Sequence, residues 1–129
     1  MANNKILDNF AEIISQLKEV PGNQIELEQL NSTEEKLQNI LFQLEFELVN
    51  AREQKKWEEV TKLELAISEC QRTIDKVRAA ILKVIIIGIN PENRAEMQKI
   101  LHEIQTARQT QVYIDFAIRL LVFLRRLFL

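Results

Sequence analysis

Three features of this sequence predict an all-α fold, an antiparallel helical bundle of about four helices with long coiled-coil-like hairpins. Glycine and proline are scarce, two of each in 129 residues, which leaves few turns and therefore few, long elements. Apolar side chains recur in steps of three and four along most of the chain, the spacing of one helix face. Apolar residues make up 47% and charged residues 28% of the chain, enough for a packed core rather than a disordered coil. The length suits a single domain over 1–129.

The first helix falls within residues 1–20. Ile6, Leu7, Phe10, Ile13, Ile14 and Leu17 share a face, and the Val-Pro-Gly-Asn-Gln that follows stops it. Residues 21–31 read as a connector with a helical turn around Ile25–Leu30. The rest, 32–129, reads as three long antiparallel helices. The second starts at Ser32 or Thr33, whose hydroxyl suits an N-cap ahead of Glu34 and Glu35. Its seam is Leu37, Leu41, Leu44, Leu48 and Ala51. A second row, Phe42, Phe46 and Val49, predicts contact with a further neighbouring helix.

A break is expected at 53–56, since an unbroken helix over 32–89 would run roughly 85 Å at about 1.5 Å per residue. Trp57 then opens the third helix and closes that end of the bundle. Val60, Leu63, Ile67, Cys70, Ile74, Val77, Ile81, Val84 and Gly88 repeat in steps of three and four, predicting helix as far as Ile89. Val84–Ile87 is β-prone, but no second strand is expected to pair with it, so helix is favoured. Asn90 and Pro91 suit an N-cap and first position, so a fourth helix starts at once and runs to about residue 127.

Two stretches carry more apolar surface than this arrangement hides. Ile81, Val84, Ile85, Ile86 and Ile87 project past the second helix, and each is worth roughly 1.5–3 kcal/mol when buried. The first helix is expected to cover them, with self-association as the alternative. The C-terminal stretch 112–129 is apolar nearly all round, broken by Asp115, Arg119, Arg125 and Arg126. Its charges argue against a membrane span. It reads as a core helix whose last turns meet a second copy, with a membrane-surface helix or a protein partner as alternatives. The expected contact residues are Ile85, Ile86, Phe123, Leu124 and Phe128, with Arg125 and Arg126 at the rim.

Charge is uneven around a net −2. Residues 1–50 hold three Lys against nine Asp or Glu, a balance of −6, and residues 51–129 hold fourteen Lys or Arg against ten acids, a balance of +4. Packing the acidic part on the basic part is the simple expectation. Neither part has the dense basic run expected for nucleic-acid binding. The single cysteine, Cys70, rules out an intramolecular disulfide. The N-terminal Met-Ala-Asn-Asn-Lys lacks a secretory pattern, so a cytoplasmic location is expected.

Chemistry-bearing patterns are sparse. His102 has no second His or Cys beside it for a metal site, Cys70 lies on a helix seam, and no Glu-x-x-His motif or glycine-rich phosphate loop occurs. No enzyme activity, metal or cofactor is expected. The hairpin LVNAREQKKWEEVTKLELAI and the later ILHEIQTARQTQVYI resemble flagellar export chaperones over about a quarter of the chain. That resemblance implies a small adaptor offering an apolar groove to a partner's amphipathic helix. The residues themselves predict a non-enzymatic interaction module that forms a homo-oligomer or binds a partner through apolar helix faces.

Overall fold

The repeat in the first twenty residues becomes α1 (Ala2–Lys18) of the computed structural model, which describes residues 2–107 and 113–128, with side chains from Lys5 onward. Four more helices follow among the described residues: α2 (Leu27–Glu53), α3 (Trp57–Leu82), α4 (Pro91–Ala107) and α5 (Tyr113–Leu127). They pack into an all-α bundle, with one small antiparallel pair of two-residue strands, β1 (Gln24–Ile25) and β2 (Ile87–Gly88).

α1 is the middle of the core. Ile6, Phe10, Ile13, Ile14 and Leu17 are fully buried and Leu7 nearly so, because this helix packs against α2, α4 and α5 together. α2 and α3 form the long hairpin read from the seams, turning at Gln54–Lys56 within the expected break. Arg52–Glu64 near the turn and Glu34–Arg78 near the open end hold it in antiparallel register. Glu34–Arg78 also joins the acidic segment to the basic one.

α5 completes the bundle along α3. Lys62 donates to Asp115 at one end, and the Thr73 hydroxyl reaches the Leu121 carbonyl oxygen farther along, so the two helices run in the same direction. α4 packs chiefly on α1 and touches α5 only lightly. Arg94 of α4 donates to the Lys18 and Val20 carbonyl oxygens, capping the C-terminus of α1.

Several boundaries differ from the sequence reading. α2 begins at Leu27, not at Ser32 or Thr33, and its first turn is closed by Gln29, whose side chain accepts the Glu26 N–H at 3.0 Å. Thr33 is buried inside the helix. α3 ends at Leu82 rather than near Ile89, because the strand partner does exist: Gln24–Ile25 lies in the connector. Ile25 pairs with Ile87 and Gln24 with Gly88, and the Ile89 N–H donates to the Asn23 carbonyl at 2.8 Å. Burial then alternates, Ile87 and Ile89 inward and Gly88 outward, with the period of a strand.

The third difference is the C-terminal half. One helix from residue 91 to 127 was expected; α4 and α5 are separate helices, and the stretch 108–112 between them lies outside the described residues. α3 and α4 consequently do not form the expected hairpin, and α3 takes α5 as its neighbour instead. The cap of α4 is as read: the Asn90 side chain accepts the Asn93 N–H at 2.7 Å, with Pro91 at the first helical position.

A candidate docking surface

The segment between α3 and β2 is where the fold leaves apolar side chains outside. Its backbone is a Schellman motif: the Ile85 N–H reaches the Ala80 carbonyl at 3.0 Å and the Val84 N–H the Ile81 carbonyl at 3.1 Å. That motif needs a left-handed residue after the helix, a place glycine usually takes. Here it is Val84, at φ 51, where a β-branched side chain is strained. The turn points its neighbours outward. Leu82 is 84% exposed, Val84 69%, Ile86 57% and Ile85 42%. Leu27, just after β1, is also exposed, and strand pairing puts it at the same end of the bundle. The first helix does not cover this patch, because its apolar face is already filled by α2, α4 and α5.

A second apolar surface lies on α2. Spacing predicts that Phe42, Phe46 and Val49 face another helix; instead Phe42 is 69% exposed and the other two about half exposed. The second neighbour of α2 is α1, and the side that α2 buries between α1 and α3 carries other residues, Leu30, Leu37, Ile40 and Leu44. The sequence held a signal against burial. Glu45 follows Phe42 by three residues and precedes Val49 by four, so a carboxylate sits within the row. Trp57, expected to close the bundle end, is exposed as well.

The other predicted contact residues divide. Phe123, Leu124 and Phe128 are buried in the chain's own core along α5. Arg125 is largely covered and pairs with Glu69, a nearly buried carboxylate that also meets Arg72 at 3.8 Å. Arg126 is exposed beside a groove of about 470 Å³ between α4 and α5. Its floor is Ile100, Leu120 and Phe123, and its walls carry Lys99, Arg119 and Arg126 with Glu96 and Glu103. Arg119 is held at 2.6 Å by Glu103 and lies over the Phe116 ring. The seven predicted residues are therefore not one surface: Ile85 and Ile86 face out at the end of α3, while the aromatic residues of α5 face in.

The titratable groups give little chemistry. The Cys70 thiol is buried against the Leu37 carbonyl, 3.5 Å away, and burial, aided by the negative charge of Glu45, pushes its pKa up to about 12. A thiol held protonated in this way is a poor nucleophile. Burial also raises the Tyr113 hydroxyl, with further contributions from Glu47 and Glu59. His102 is exposed on α4. Among the described residues no three His, Cys, Asp or Glu side chains lie close enough to hold a metal ion, and no helix is long and apolar enough to cross a membrane. No protein family, curated protein or solved structure matches the chain, so the resemblance of its hairpin to flagellar export chaperones gains no support from them.

Proposed function

We propose that this protein is a non-enzymatic interaction module that associates with further copies of itself through exposed apolar side chains, principally Leu82, Ile85 and Ile86. The supporting observation is the bundle end. Four large apolar residues in a row of five, Leu82 to Ile86, stay in water although the core beside them is filled. Scattered apolar residues on a surface are ordinary, but a contiguous patch marks an interaction site. The strained Val84 adds to the case, because the turn that presents the patch is held at a cost in backbone energy.

Light scattering over a concentration series tests the reading. The wild-type chain is expected to associate, and I85S/I86S, which changes only exposed positions, to associate more weakly while keeping its helical circular dichroism. A wild-type chain that stays monomeric throughout, or one whose association is untouched by the two serines, would rule the reading out.

A further inference from the structure

The outer stripe of α2 and the groove between α4 and α5 complement each other, and a single chain cannot bring them together. α2 buries the opposite side, with Leu37, Ile40 and Leu44, against the bundle that carries α4 and α5. The stripe therefore looks away from the groove.

The stripe is apolar and acidic. Phe42, Phe46 and Val49 form its ridge, and Glu35, Glu45 and Glu53, all exposed, fall on the same helix face. The groove is apolar and predominantly cationic. Ile100, Leu120 and Phe123 floor it, and its three cations outnumber its two carboxylates, one of which is already engaged by Arg119. The lengths agree as well. Phe42 and Val49 are seven residues apart, as are Arg119 and Arg126, about 10 Å of helix in each case. A ridge of side chains set into the trough between two loosely packed helices is an ordinary mode of helix packing.

We propose that copies of this chain join head to tail, the α2 ridge of one copy seated in the α4–α5 groove of the next. Two α2 stripes meeting about a two-fold axis is the competing arrangement, and charge disfavours it. An antiparallel pairing that sets Phe42 against Phe46 of the other copy brings Glu35 opposite Glu53 and leaves the Glu45 pair adjacent, with no cation between them. Head-to-tail contact instead brings Glu45, the carboxylate within the ridge, to a rim that carries Lys99 and Arg126. Such a heterologous contact does not stop at two copies; it continues into a chain or closes as a ring. The proposal shares with the proposed function only the idea that the partner is another copy, and it uses a different surface from Ile85 and Ile86.

Sedimentation velocity in the I85S/I86S background isolates this contact. That chain is expected to grow past the dimer with concentration, and to do so less at high salt, because the rim is ionic. Adding F42D/F46D removes the ridge, and adding K99E/R126E spoils the groove. Each is expected to weaken self-association at least tenfold. Mixed together, the two variants retain one good ridge and one good groove, so they are expected to form a one-to-one pair that grows no further. All four positions are exposed or at the groove rim, and unchanged thermal melts check the folds. Three results would overturn the proposal: no association in the I85S/I86S background, a clean stop at dimer, or undiminished self-association of K99E/R126E. Each leaves the comparison of wild type with I85S/I86S intact.

Discussion

Val84 sits at φ 51 with a branched side chain, at the left-handed position that the hydrogen bonds of its turn call for. An L-residue in this region costs about 1–2 kcal/mol, of which glycine would return part as extra freedom in the unfolded chain. V84G is therefore expected to stabilise the protein by about 1 kcal/mol, or about 3 °C in Tm, read by urea or thermal unfolding. Lys55 holds the same position after α2 at φ 57; being unbranched, it should gain less from the same change. If V84G also weakens association, the strained valine is part of the contact and not only its hinge. Cys70 makes a second prediction. Its thiol stays protonated in the fold to about 12 against an ordinary value of 9.0. Below the unfolded value both states hold the proton and the contribution is fully present. Above it the unfolded chain loses the proton first, so stability falls as pH rises, by up to about 1.4 kcal/mol per pH unit from this group. Tyr113 acts in the same direction. Urea unfolding at rising alkaline pH should show a shallower decline for C70A than for wild type.

Between elements, the tie from α4 to α1 rests heavily on one side chain. Arg94 donates to two carbonyl oxygens at the end of α1, groups that would otherwise be left without helical partners. R94A should cost about 1–3 kcal/mol, more than a surface arginine would, because it orphans carbonyls near the core. The loss is expected to appear first as faster hydrogen exchange at the end of α1. None of this was legible in the sequence, where Arg94 looks like any charge in a first helical turn. What was legible were long seams: α1, the α2–α3 hairpin and the Asn90–Pro91 start all follow from local spacing and capping. The failures arose where a local pattern had two solutions. Residues 81–88 continue a helical repeat and are also β-prone at Val84–Ile87, and only the partner strand at Gln24–Ile25 decides between them. The candidate site was half visible for the same reason. Ile85 and Ile86 were recognisable as surplus, but Phe42 and Phe46 match a buried row until Glu45 is given its weight. Phe123, Leu124 and Phe128 look like surplus in the sequence because nothing local places α5 alongside α3.

At the scale of the whole molecule, α1 is the part on which the rest depends. Its six apolar side chains, Ile6 to Leu17, are at most 1% exposed; at roughly 1.5–3 kcal/mol each, they contribute about 9–18 kcal/mol, comparable with the entire net stability of an ordinary domain. It is also the neighbour that α2, α4 and α5 share, while α4 and α5 scarcely touch each other. A helix added on to cover one apolar end could be removed with modest loss; a shared central helix could not. F10A is expected to cost about 3–5 kcal/mol, as for a large aromatic ring removed from a filled core. Deleting residues 1–20 should go further, leaving a chain with reduced helicity, strong binding of a hydrophobic dye and no cooperative thermal transition. Circular dichroism melts of the two variants decide the matter. If the shortened chain still unfolds in one sharp step, α2 to α5 form a core of their own and α1 is peripheral. Loss of the transition, with F10A retaining it at a lower midpoint, establishes α1 as the element around which the bundle closes.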